Sequence, residues 1–214
     1  MAYAMQVNRL IKTFLQGLDP AGTSPGGRQM SNLDYEINKE LGECYLFMGE
    51  IDKAEDYYTK AVNSNGSHAD PYLGLATIAL QRGELDQAHS LYGKAAGIKA
   101  EDKSLAGLAM VEVELGRHEE GFEHYRQALQ HNPQNLIAML GLIQAAHVLS
   151  RLEDILPALE DFLQLEPDKQ EVRFALAGCL VSLGKGQEAV PHLELILQQN
   201  PDNSQARELL DRLG

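Results

Sequence analysis

The stretch "HEEGFEH", from His118 to His124, puts two imidazoles and three carboxylates within seven residues. Such a set could bind zinc or move protons. Zinc, however, needs its two histidines on one helical face, as in HExxH, where they are four apart. Six residues turn a helix by about 240°, so His118 and His124 point apart and read as surface or core-edge histidines. The two cysteines, Cys44 and Cys179, show neither CxxC nor Cys/His metal spacing, which fits free thiols in a reducing compartment. Paired acids occur, but without calcium-loop spacing. There is no glycine-rich phosphate loop and no dinucleotide fingerprint. No catalytic residue, no metal and no cofactor is expected.

Charge narrows the partners. The chain of 214 residues carries a formal net charge of -13, which repels phosphate backbones and argues against nucleic acid. The opening "MAYAMQVNRLIKTFLQ" lacks the long apolar core and small-residue cleavage site of a secretory signal, so a cytoplasmic protein is expected. The most apolar run, "LIAMLGLIQAAHVL" at residues 136–149, spans roughly 21 Å as a helix, against roughly 30 Å for a bilayer core. It is expected as a buried helix, with no membrane insertion.

The elements that carry these residues repeat. "LGECYLFMGEIDKAEDYYTKAV", beginning at Leu41, returns 34 residues later as "LATIALQRGELDQAHSLYGKAA", with Gly49 and Gly83, Ala54 and Ala88, and Tyr58 and Tyr92 in register. The turn recurs at Gly116 and Gly184, with Ser150 in its place between them. Pro133, Pro167 and Pro201 keep the same step of 34. Five units start near Tyr35, Ala69, Asp102, Leu136 and Gln170. In each, apolar residues fall at helical spacing on both sides of the turn, which predicts two antiparallel helices. A turn glycine supplies positive φ, and a small residue at Ala54, Ala88, Gly121 or Ala189 lets the two helices approach closely. Cys44 and Cys179 share a register position with Ile78, Val111 and Ala145, which makes them packing residues rather than redox ones.

This Leu-Gly, Tyr, Gly, Ala, aromatic, Ala, Pro pattern in 34-residue units resembles the tetratricopeptide repeat family. The resemblance covers residues 35–203. It implies an all-α, right-handed superhelical solenoid of antiparallel helix pairs, about five units long, with the first helix of each pair lining a concave face. The unit from Leu136 departs from the pattern, with Ser150 for the turn glycine and Ile155 for the small alanine. Pro157 and Pro191 share a place early in their second helices, where a missing N–H costs little if it falls in the first turn.

The expected organisation is an N-terminal amphipathic helix at 1–18, a flexible Gly/Pro/Ser linker at 19–31, five repeats over 32–203 and a C-terminal capping helix at 204–214. In the first helix Val7, Leu10, Ile11, Phe14, Leu15 and Leu18 share a face. Three roles are open to it: a cap on the first repeat, self-association into a homo-oligomer or docking in the concave groove, or the tail of an upstream domain.

If the resemblance holds, positions 2, 5, 9, 12 and 13 of each unit face the groove. In the fourth unit these are Ile137, Leu140, Gln144, His147 and Val148. The peptide-binding residues expected across the groove are Lys39, Glu43, Phe47, Leu73, Thr77, Leu80, Met110, Val113, Leu140, Gln144 and Phe174. The groove is apolar in its middle and acidic toward its first unit. It lacks the Lys, Arg and Asn set with which chaperone adaptors of the family hold a terminal carboxylate. A non-catalytic adaptor or scaffold that binds an apolar or amphipathic protein segment is expected. The alternatives are a self-assembling structural protein and the docking module of a larger enzyme or signalling protein.

Overall fold

The computed structural model describes residues 27–213, and every regular element among them is an α-helix. In chain order these are α1 Gly27–Phe47, α2 Ile51–Ser64, α3 Asp70–Gln81, α4 Leu85–Ile98, α5 Asp102–Glu114, α6 His118–His131, α7 Leu136–Val148, α8 Leu152–Leu165, α9 Gln170–Ser182, α10 Gly186–Gln199 and α11 Ser204–Asp211. The expected helix at 1–18 lies outside the described residues. The segment expected as linker to residue 31 is helical from Gly27 onward. No proline between Pro25 and Tyr35 removes an amide hydrogen, so nothing prevents α1 from running back past Tyr35.

Each helix pair closes in the same way. Gly49, Gly83, Gly116 and Gly184 have φ of 76°, 75°, 78° and 75°, and Ser150 takes the same left-handed place at 57°. The next amide reaches back five residues, as in Glu50 N to Tyr45 O at 2.9 Å and Arg151 N to Ala146 O at 2.8 Å. This is the Schellman closure, which satisfies carbonyls that the helix end would orphan. A Cβ in this conformation is strained by about 1–2 kcal/mol. Ser150→Gly is therefore expected to raise stability by about 1 kcal/mol, read as a higher urea midpoint with unchanged slope.

Small residues set the spacing inside the pairs. Ala54, Ala88 and Ala189 are fully buried, and a Cβ on Gly121 would stand 2.6 Å from Val113 Cγ2. Ile155 fills the equivalent place in the fourth pair and is also fully buried. A branched side chain cannot be brought as close as a methyl, and α7 and α8 are the least closely packed pair of the five.

Between pairs the spacers are tyrosines. Tyr58, Tyr92 and Tyr125, on second helices, lie flat against Gly74, Gly107 and Gly141 of the following first helix. Basic residues at the turns add an outer tie to the preceding pair. Arg82 reaches Asp52 at 2.9 Å and Glu55 at 2.8 Å, and Arg151 reaches Glu119 at 3.0 Å with its guanidinium 4.0 Å from the Phe122 ring centre. Lys185 reaches Glu153 at 3.3 Å. These exposed pairs are worth at most about 1 kcal/mol each and serve register more than stability.

Two prolines fall inside second helices. Pro157 and Pro191 are the sixth residues of α8 and α10, past the first turn, so the carbonyls of Glu153 and Gln187 lose their helical donors. Both prolines are exposed, as are Glu153 and Gln187, so these carbonyls lie on the solvent side of their helices. At the far end α11 buries Ala206 and leans Leu209, Leu210 and Leu213 on the core. Its charged residues Arg207, Glu208, Asp211 and Arg212 are exposed, as a cap on an otherwise open solenoid requires.

Candidate protein-binding groove

The curvature follows from which helices touch. Each first helix packs on the next one, α1 on α3, α3 on α5, α5 on α7 and α7 on α9. Successive second helices do not pack on one another to that extent. The first helices therefore line the inner side of the array and the second helices fan along its outside.

Along that inner side α7 stands out. Ile137, Leu140 and Val148 are 59%, 42% and 55% exposed, and with exposed Gln144 they recur at i, i+3, i+7 and i+11, which is one face. The opposite face, Ala138, Met139, Leu142 and Ala145, is completely buried. The run is thus a helix apolar nearly all round, interrupted by Gln144 and His147, with only one side covered. Its start is fixed by Asn135, whose side chain accepts from Ala138 N at 2.9 Å. Asn132 and Asn135 both donate to Asp102 Oδ2 at 2.9 Å, which ties the N-terminus of α7 to that of α5. Burial alone would raise the Asp102 carboxyl, but these two hydrogen bonds and one from the Lys103 backbone outweigh it and hold it below the ordinary range.

The remaining sequence-derived groove residues divide by depth. Glu43 and Phe47 are exposed like Leu140 and Gln144. Lys39, Leu73, Thr77, Leu80, Met110, Val113 and Phe174 are half-buried. Leu73 and Leu80 lean on the core between the second and third pairs, and Met110, Val113 and Phe174 on the larger core that follows. Thr77 Oγ1 donates to Leu73 O at 2.9 Å and lies 3.1 Å from Tyr92 OH, so its polar capacity is largely used within the fold. Val113 packs within its own pair, on Gly121.

The acidic end is a connected group. Lys39 Nζ lies 3.9, 3.0 and 3.8 Å from carboxylate oxygens of Glu36, Glu40 and Glu43. Burial pushes the Glu43 carboxyl up; Glu40 and Asp70 add to this, while Lys39 and Lys103 oppose it.

The histidines and cysteines find structural surroundings. Glu112, 4% exposed, holds His124 Nδ1 at 2.6 Å and His89 Nε2 at 3.5 Å, which joins α4, α5 and α6. Cys179 is buried and Cys44 half-buried, and burial raises both thiols above their usual range, away from the reactive thiolate. Among the described residues no group of three or more His, Cys, Asp or Glu is placed to hold a metal ion, and no helix is long and apolar enough to cross a membrane.

A second concavity escaped the sequence. A cleft of about 610 Å³ opens on the outer side between α6, α7 and α8, with Leu129, Met139, Leu142 and Pro157 among its walls and Arg126 and Asp161 at its edges. It contains none of the expected groove residues. Neither departure of the fourth unit, Ser150 or Ile155, lines it, and its walls come from three separate helices.

A curved, all-helical repeat array with an accessible inner wall defines the class of helical solenoid scaffolds. Family models described as tetratricopeptide repeat match residues 48–109, 149–213 and 107–154, and the chain belongs to the tetratricopeptide repeat family. It is 34% identical over 113 residues to the BBSome complex member BBS4 of Bos taurus, covering 52% of this chain and 22% of that protein. It is 29% identical over 183 residues to the CTR9 homolog of Arabidopsis thaliana, covering 78% of this chain and 17% of that protein. The chain thus spans about a fifth of the length of these curated relatives. Among solved structures, Pseudomonas aeruginosa pilF superposes with a TM-score of 0.71 at 22% identity, covering 86% of this chain and 84% of that one. YrrB, described as a TPR protein with an unusual peptide-binding site, gives 0.66 at 16% identity, covering 80% and 89%. These likenesses establish the right-handed superhelical solenoid fold.

Proposed function

We propose that the protein is a non-catalytic adaptor or scaffold that captures an apolar or amphipathic protein segment on the concave face of its first helices. The exposed stripe Ile137, Leu140 and Val148 on α7 carries this reading, because an apolar face of that length is stabilised only by a cover. Anchors at Phe47, Leu73, Leu80, Met110 and Phe174 extend the wall to both sides, with Lys39, Glu43, Thr77, Val113 and Gln144 as its polar edge and packing support. Each well-buried anchor contributes about 1.5–3 kcal/mol before association costs, so a few suffice for micromolar binding. The peptide-binding description of YrrB and the complex membership in the name of BBS4 support the same class of function.

The test uses peptides selected on the whole chain from a random display library. Leu140→Glu and Ile137→Glu are expected to weaken selected peptides at least tenfold while helical content and thermal midpoint stay close to wild type, since both side chains already face solvent. Leu80→Glu is a poorer probe because Leu80 is half-buried against the core. Undiminished binding by both α7 variants removes the groove from the function.

A further inference from the structure

The charge of the chain is unevenly divided. Residues 1–18 contain Arg9 and Lys12 and no acid, whereas the whole chain carries -13. The same segment has its apolar residues at helical spacing, and Lys12 falls on the flank of that stripe. The groove has the complementary order, with carboxylates of Glu36, Glu40, Glu43 and Asp70 around its first unit, and an uncovered apolar face at α7.

Reach permits the two to meet within one chain. Residues 19–26 extend up to about 26 Å. Three steps between first helices, from α1 to α7, amount to about 24–30 Å, and eighteen residues of helix measure about 27 Å. If residues 1–18 form the expected helix and it enters from the first unit, Lys12 would fall roughly 9 Å along, beside the acids, with Ile11 and Val7 further on toward the apolar wall.

Resting on the concave-face reading above, we infer that residues 1–18 dock on the concave face of their own chain, with Lys12 against the carboxylates of the first unit. A partner must then displace this segment, which makes the N-terminus an internal competitor for the groove.

Zero-length amine–carboxylate crosslinking of the full chain, mixed from isotope-labelled and unlabelled protein, tests this directly. The expected products join Lys12 to Glu36, Glu40, Glu43 or Asp70 within chains of one isotope. Phe14→Asp is expected to abolish them and to tighten binding of the selected peptides about tenfold, as release of a self-occupied site requires. Products that join chains of different isotope, products from Lys12 to Asp154 or Asp161 of the outer cleft, or no Lys12 product overturn the inference. The groove itself stands or falls separately, on the α7 variants.

Discussion

Gly141→Ala is expected to destabilise the protein by about 1–3 kcal/mol, although alanine is ordinarily the better helix former by about 0.5–1 kcal/mol. A Cβ at Gly141 would lie 2.1 Å from Tyr125 Cζ and 2.5 Å from both Cε atoms. Tyr125 is itself 3% exposed and cannot swing into solvent. The sheet of contacts between α6 and α7 must therefore part, or the ring must leave its rotamer. Gly93→Ala and Gly97→Ala on α4 serve as controls, since nothing lies within 4 Å of either Cβ. Each is expected to stabilise by about 0.5–1 kcal/mol. The fourth unit shows how the clash is avoided, with Leu159 replacing the tyrosine and Ala175 replacing the glycine that follows. Tyr125→Leu should accordingly recover part of the loss when combined with Gly141→Ala, and urea denaturation of the two single variants and the double variant measures that coupling.

Ile155→Ala is expected to cost about 2–5 kcal/mol, even though it restores the residue type that three sister units carry at this place. Ile155 is fully buried, as are Leu159 and Phe162 on the same helix. The α7–α8 pair is spaced around the larger side chain, and removing it leaves a void unless the pair closes. Closing the pair would have to drag Leu159 and Phe162 out of their present packing. A lower urea midpoint with unchanged slope is the expected result. A variant as stable as wild type would mean that the wide spacing of this pair has another cause.

Most of the architecture could be read from the chain because each unit repeats the same physical solution. The starts of α5, α7 and α9 fall at Asp102, Leu136 and Gln170 as the period places them. Ser150 stands where its sister units carry a turn glycine, and it adopts the positive φ that the position demands. What failed to show was whatever depends on how neighbours lean. The register rule says which residues face inward, but Met110 and Phe174 are half-covered while Ile137 and Val148 are open. The depth of each is set by side chains one unit away, which no single helix pattern encodes. The outer cleft escaped for the same reason: its walls come from three helices. The condition on Pro157 and Pro191, that the missing N–H costs little in a first turn, is not met, because both are the sixth residues of their helices.

Hydrogen exchange of the full chain with and without a selected peptide tests the concave-face account most directly. The expected result is slowed exchange along the first helices, strongest in α7 and its neighbours α5 and α9, with the second helices unchanged. Slowed exchange confined to α6 and α8, around the outer cleft, would contradict it.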